Sequence, residues 1–432
     1  MEEYIKRYRK FLDRSKTERL FIENARLEAV AHGYVSINGK SSLKSGDKIY
    51  FMNRRKNLLL AVIGQRPLQE GFRLIASHVD SPRLDLKPLP LYEETGISLL
   101  KTQYYGGIKK YQWASIPLSL IGTVILKSGE AVHISLGEEE NDPVFTIPDL
   151  LPHLAKNIQN ERTTADVIKG EELQVLFGTT VKTSLLEKLK TLYGMDEEDF
   201  LSAELELVPT FNSREVGLDR SLIGGYGQDD RACAIAALQS LWSIEGAVPE
   251  HTALVYLVDK EETGNVGATG LDSQYLEYVI EELLLATTGV SGSTLLRKTL
   301  WNGKALSADV TVAFDPVFKA VHDEQNAAKL GKGIVLSKFI GPGGKMNCQD
   351  ADAEYVAEIR RLLTDAGVLY QGAAFGKVDE GGGGTVARYL SAKGLQVLNA
   401  GPALLGMHSP FEIASKIDIY ETYRAFKAFF LP

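Results

Sequence analysis

Five short segments carry residues whose types and spacing suit joint chemistry. Residues 252–267 open as an apolar, β-branched run and break after Val258 into Asp259-Lys260-Glu261-Glu262. A buried strand thus delivers two adjacent carboxylates to its C-terminal end, the edge at which open α/β sheets bind ligands. Neighbouring side chains leaving a strand point in different directions, so one carboxylate can hold a metal while the other faces a water. Residues 72–82 likewise end an apolar strand in His78-Val79-Asp80, and alternation puts His78 and Asp80 on one side. An aspartate so placed can accept the second ring N–H of a metal-bound histidine. Gly224-Gly225-Tyr226-Gly227 leads into Asp229 and Asp230 at the head of a helical stretch, where acidic residues suit the positive helix end. Asp309 lies in a strand-like run, 305–315, among small and apolar neighbours. A lone buried carboxylate costs on the order of several kcal/mol unless it is paired or bound to a cation. His408 follows Gly406-Met407 in a turn. Singly these are an acidic turn, a surface pair, a helix cap and a structural histidine; together they form a candidate site.

The elements that must position them alternate between strand and helix. Residues 1–36 read as two amphipathic helices, with Tyr4, Ile5, Tyr8, Phe11 and Leu12 at helical spacing. Strands are expected over 48–51, 58–63 and 395–398, and helices over 232–242, 277–286, 353–366 and 413–430. Between about 91 and 209 the texture changes to aromatic, glycine-rich and β-type sequence with no cluster at metal-ligand spacing. We therefore expect an α/β domain built from residues 1–90 and 210–432, interrupted by a β-rich insertion over 91–209. His153, in the proline-spaced segment of that insertion, is its one histidine of interest.

Composition narrows the function. The 432 residues exceed one ordinary core, and the 44% apolar and 24% charged content is that of a soluble α/β enzyme. A net charge of −8 argues against a general nucleic-acid binder. Cys233 and Cys348 form no CxxC spacing, which fits a reducing, cytoplasmic setting. The charged N-terminus resembles no signal peptide, and no run approaches the ~18 apolar residues of a membrane span. The four-glycine run at 381–384 lacks the strand–turn–helix context of a nucleotide loop.

His78, Asp229, Glu262, Asp309 and His408 make a mixed nitrogen and oxygen set suited to zinc, with cobalt or manganese as alternatives. Five ligands exceed one tetrahedral ion and suit two ions sharing a carboxylate, which acidify a water and polarise a carbonyl. A further carboxylate is then needed as base. Residue spacing alone does not decide whether Asp229 or Asp230 is shared.

Ser77-His78-Val79-Asp80-Ser81-Pro82, Gly227-Gln228-Asp229-Asp230, Asp259-Lys260-Glu261-Glu262-Thr263-Gly264, Ser307-Ala308-Asp309 and Met407-His408-Ser409 occur in one order. That order resembles the aspartyl aminopeptidases of the aminopeptidase I type, across essentially the whole chain. The resemblance implies a co-catalytic zinc peptidase fold, an α/β sandwich interrupted by a dimerisation domain, and assembly of dimers into a dodecamer. It implies His78 and Asp309 on one metal, Glu262 and His408 on the other, Asp229 bridging, Glu261 as general base and Asp80 orienting His78. It also implies that a histidine of the partner subunit's dimerisation domain enters the site, and His153 lies in the matching region. Two positions depart from the pattern. The family often has Asp-Asn at Asp229-Asp230, and the lysine with which some members read acidic side chains is matched by Ser337, beside Lys338.

The expectation is a dizinc aminopeptidase removing N-terminal residues, acidic ones among the candidates, from peptides. The rivals are a related carboxypeptidase or N-acyl amino acid deacylase, and a catalytically silent assembly protein. Hydrolysis assays on matched free and N-acetylated peptides separate the hydrolases. Cleavage of the free-amine series alone is expected, and cleavage of the acetylated series alone would decide for the deacylase.

Overall fold

The computed structural model describes residues 1–179, 182–244 and 246–431. It divides into two compact units, one of Met1–Asp80, Ser213–Met407 and Glu412–Pro432, the other of Ser81–Asn212 and His408–Phe411.

In the first unit nine strands form one sheet, in the order Val35–Ser36, Lys48–Asn53, Asn57–Val62, Thr252–Val258, Phe72–His78, Lys304–Ala308, Gln396–Gly401, Ile334–Ser337, Tyr370–Gly372. The four strands from Thr252–Val258 to Gln396–Gly401 run parallel. Parallel strands are covered on both faces and so read as continuous apolar runs; every residue of Thr252–Val258 is buried. Alternation divides that burial. Leu254, Tyr256, Leu74 and Ala76 pack under the helices Tyr275–Thr288 and Ala387–Ala392. Val255, Leu257, Ile75, Leu306 and Leu398 face the opposite core, built with Glu2–Asp13, Glu18–Ala31, Gln228–Trp242, Ala353–Asp365 and Lys416–Phe430. The result is helix, sheet, helix: an α/β unit whose parallel strands all end at one edge.

A second, five-stranded sheet is ordered Arg214–Val216, Leu222–Gly225, Glu412–Ser415, Ala403–Leu405, Thr311–Val312. Thr311–Val312 pairs with Ala403–Leu405 just after Lys304–Ala308 has paired with Gln396–Gly401. Asp309 is therefore fixed between two sheets. The last helix begins at Lys416, not near residue 413, because Glu412–Ser415 pairs with Leu222–Gly225 before the chain can turn.

The second unit is an antiparallel sheet, in the order Ala131–Leu136, Leu118–Ile125, Ala203–Pro209, Arg83–Glu94, Ile97–Tyr105, Gln174–Gly178. Leu100, Trp113, Leu118, Val124, Val175 and Leu207 fill its core. The first boundary falls at Asp80 and not near residue 90, because Arg83–Glu94 takes its partners from Ile97–Tyr105 and Ala203–Pro209. Among the described residues no single helix is long and apolar enough to cross a membrane.

Phe426, fully buried on the Lys416–Phe430 helix, packs in the first of these cores. Phe426→Ala should destabilise the unit by about 3–5 kcal/mol, read as a lowered denaturant midpoint in circular dichroism.

Candidate metal centre

The C-terminal edge of the parallel strands collects the predicted residues of the first unit. His78 is the last residue of its strand and sits in register with Val258. Beyond Val258 the chain enters a short 3-10 turn, Glu261–Thr263, through Lys260 (φ 73°) and leaves it through Gly264 (φ 91°). Those left-handed residues turn the two carboxylates back over the sheet edge. Asp309 directly follows Ala308. Asp229 and Asp230 lie at the start of Gln228–Trp242 with non-helical backbones, after Gly227 (φ 73°).

The carboxylates converge on one ring nitrogen. His78 Nε2 lies 3.2 Å from Asp229 Oδ1 and 3.8 Å from Asp309 Oδ1. On the other side, His78 Nδ1 is 3.0 Å from the Asp80 main-chain carbonyl and 3.5 Å from Asp80 Oδ1. Asp80 thus holds the ring chiefly through its backbone, whereas the sequence pointed to its carboxylate. The Asp80 side chain also serves the acidic turn, where Oδ1 and Oδ2 accept the N–H groups of Glu261 and Glu262, each at 3.2 Å. One residue orients the histidine and ties down both glutamates.

Two groups bring ligand atoms within 4.8 Å of one another, His78 with Asp230 and Asp309, and His78 with Asp229 and Glu262. Such crowding is unfavourable without a cation. Burial lowers the proton affinity of His78, but hydrogen bonds to Asp229, Asp309 and Asp80 outweigh it and push its pKa well above the ordinary value. Burial pushes the Glu261 carboxyl up to about 8; His78 opposes this, and Asp309, Asp80 and Asp229 add to it. Asp230 is raised by burial and then by Asp309. Its Oδ2 accepts the Ser77 hydroxyl at 2.5 Å, while its buried Oδ1 has no hydrogen-bond partner among the described residues. Buried carboxylates stacked around a single imidazole, with an orphaned oxygen among them, fit a divalent cation of the zinc type.

Supporting groups gave no chemical signal in the sequence. Glu412 Oε2 accepts the Asp229 N–H at 3.0 Å, Gln228 Nε2 donates to the Glu412 carbonyl at 2.6 Å, and Tyr8 donates to Gln228 Oε1 at 2.9 Å. The pairing of Gly225 with Glu412 puts that carboxylate there, and such a contact between residues 183 apart is invisible to local pattern. Gly401 admits the Asp309 backbone: a Cβ there would lie 2.0 Å from the Asp309 carbonyl oxygen.

Two predicted residues lie in the second unit. His408 (φ 66°) has Nδ1 2.7 Å from the Gly107 carbonyl. Donation from Nδ1 puts the ring lone pair on Nε2, the nitrogen that a metal would take. His153 is exposed on the short helix Pro152–Ala155. Neither histidine is in the two clusters above.

Parallel strands ending in a buried histidine and carboxylate cluster define an α/β metallohydrolase. Comparison with known proteins is more specific. Residues 11–430 match the family model of the aminopeptidase I zinc metalloproteases (M18). The "Probable M18 family aminopeptidase 1" of Borrelia garinii subsp. bavariensis is 48% identical over 433 residues, 98% of this chain and 94% of the relative. The crystal structure of an M18 family aminopeptidase from Thermotoga maritima superposes with a TM-score of 0.96 at 42% identity, covering 100% of this chain and 96% of that one. The S. cerevisiae mApe1 dodecamer, 22% identical, shares the fold (TM-score 0.81; 98% and 95% covered). The chain belongs to the M18 aminopeptidase family of zinc metalloproteases.

The raised proton affinities give a sign for metal binding. Both His78 and Glu261 have raised proton affinity, Glu261 to about 8, so cations binding there compete with protons. Zinc titration of metal-free protein, followed calorimetrically in two buffers of different ionisation enthalpy, should show release of about one or more protons per chain; proton uptake would contradict the arrangement.

Proposed function

We propose that this aminopeptidase uses two divalent cations, zinc by family and by donor chemistry, to hydrolyse N-terminal residues from peptides. His78 and Asp309 would hold one, Glu262 and His408 the other, with Asp229 shared. The observation that carries this reading is the convergence of Asp229 and Asp309 on His78 Nε2 beside a half-buried Glu261 whose pKa desolvation raises to about 8. When bound, such a pair of cations acidifies water, polarises the scissile carbonyl and stabilises the tetrahedral oxyanion.

The chain's own groups supply the rest. Asp80 fixes the His78 ring and the two N–H groups that aim Glu261 and Glu262. Glu261 is the general base: its carboxylate takes the proton of the attacking water and passes it to the leaving amine. A burial-raised pKa suits this exchange, because a carboxyl of pKa near neutrality both accepts and returns a proton at working pH. With cations bound, Glu261 would be ionised, because neighbouring positive charge lowers a carboxyl pKa.

The second unit is the candidate for self-association. Leu151, Leu154 and Ile158 flank His153 in sequence and are exposed, the kind of apolar surface that marks a protein contact. This supports a dimer in which His153 of the partner subunit completes the site, and assembly of dimers into a dodecamer like that of the yeast relative. At the specificity position Ser337 is buried, and Lys338 is half exposed with Asp350 at 3.8 Å.

Hydrolysis of aminoacyl chromogenic substrates, before and after chelation and re-addition of zinc, cobalt or manganese, tests the proposal. Cleavage that is lost on chelation and restored by metal is expected, and the ranking of Asp and Glu against Leu and Ala reads the specificity pocket. Cleavage untouched by exhaustive chelation would overturn it. Glu261→Gln should retain both metals by elemental analysis yet lose about 10²–10⁴ in kcat, whereas His408→Ala should lose one metal equivalent; full activity in either variant would count against the assigned roles.

A further inference from the structure

Gln228–Trp242 carries the acidic cluster at its first residues, and a second feature lies at its other end, on the order of 18 Å along the helix axis at 1.5 Å per residue. There the helices Glu2–Asp13, Glu18–Ala31, Gln228–Trp242 and Lys416–Phe430 line a cleft of about 530 Å3, with Arg7, Lys10, Arg14, Glu28, His32 and Trp242 in its walls. We propose that this cleft binds a small phosphate-ester anion, the phosphate seated among Arg7, Lys10 and Arg14 and the remainder lying along His32. It is a site distinct from the metal centre.

The first argument is charge. Arg7, Lys10 and Arg14 recur at three and four residues, so they share one stripe of their helical segment. Like charges at that spacing on a helix repel one another. In a chain of net charge −8, Glu28 is the one carboxylate in the cleft and already pairs with Arg14, so Arg7 and Lys10 add two further positive charges that call for a counter-ion. Arg7 lies 3.5 Å from Glu3, but both side chains are more than 60% exposed and such a pair neutralises little.

The second argument is that the walls are already fixed. Glu28 is committed on both oxygens: Oε1 accepts from the Arg14 guanidinium and Oε2 accepts the Trp242 indole N–H at 3.3 Å. The Arg14 guanidinium also lies 4.7 Å from the centre of the Phe11 ring. An arginine held on two sides has less rotamer freedom to lose when it meets a phosphate, and its planar fork matches two phosphate oxygens. His32 stacks on Trp242 at 4.9 Å with 10° between the planes, and Tyr34 braces the indole edge-on at 5.1 Å. That gives a rigid aromatic wall beside the cations. The volume lies within the roughly 300–1,000 Å3 of small-molecule sites.

Isothermal titration of the metal-loaded enzyme with pyrophosphate and with adenosine 5′-monophosphate, using adenosine as the uncharged control, tests the site. Saturable binding of both anions at one equivalent per chain is expected, weakening as salt rises, with adenosine bound at least tenfold more weakly. Arg7→Glu combined with Lys10→Glu should weaken both anions at least tenfold and leave peptide hydrolysis and metal content unchanged; Lys10→Gln is the milder variant and should weaken them in the same direction. Three results would overturn the proposal. They are no saturable binding to the wild type, undiminished affinity in the charge-reversed protein, which would move binding to the metals or elsewhere, and adenosine binding as tightly as its monophosphate. If the wild type binds neither anion and charge reversal changes the particle mass in light scattering, the face is a contact between copies and not an anion site.

Discussion

Asp229 and Asp309 converge on His78 Nε2 in a buried site, with Asp230, Glu261 and Glu262 close by, and the first unit is arranged to tolerate that concentration of negative charge. Carboxylates of this kind repel one another and are costly to desolvate. The metal-free fold answers the difficulty with raised proton affinity at Glu261, Asp230 and the imidazole. Divalent cations meet it better, since each supplies two charges at the point of convergence. The site is therefore strained toward metal by its own electrostatics, and metal affinity and proton affinity are two readings of one imbalance.

Holding charges in such an arrangement requires a frame that cannot relax away from them, and backbone pairing supplies most of it. His78 is fixed by ladder bonds up to its own residue, Asp309 by passage from one sheet into another, and Asp229 by its N–H to Glu412. Few long, flexible side chains intervene between a ligand and the main chain. This explains the close backbone approaches, of which Gly401 against the Asp309 carbonyl is the tightest at the site. A larger residue there would displace the ligand it faces.

Much of this was legible in the sequence, and the limit of legibility has a physical form. The strands ending at His78, Val258 and Ala308 announced themselves as apolar runs broken by ionisable residues, because burial on both faces and a functional edge impose that pattern. The helix 353–366 was equally plain from its periodicity. What local pattern could not show was pairing between distant segments. Glu412 acquires a role only when Glu412–Ser415 aligns with Leu222–Gly225, the same pairing that delays the last helix to Lys416. The Asp80 carboxylate looks like a histidine partner because its spacing from His78 is two, and its Oδ1 does lie 3.5 Å from His78 Nδ1, but local pattern could not show that its oxygens also accept the N–H groups of Glu261 and Glu262, 181 and 182 residues away. Charge identity is local information; the partner of a charge is not.

The same distinction bears on how two adjacent glutamates come to differ. Glu261 and Glu262 have one side-chain chemistry, and Asp80 holds both of their N–H groups at equal distance. Their difference must come from direction alone: the left-handed entry at Lys260 starts a tight turn, and successive residues of a tight turn project to different sides. Glu262 falls into a group able to ligate a cation with His78 and Asp229, whereas Glu261, half-buried near the same charges, has its proton affinity raised. A ligand carboxylate must stay ionised, while a general base must exchange its proton near working pH. In the proposed roles of Glu262 as ligand and Glu261 as base, one turn, clamped by one aspartate, would satisfy both demands, and substitutions that alter the turn without touching either carboxylate should disturb metal binding and proton transfer together.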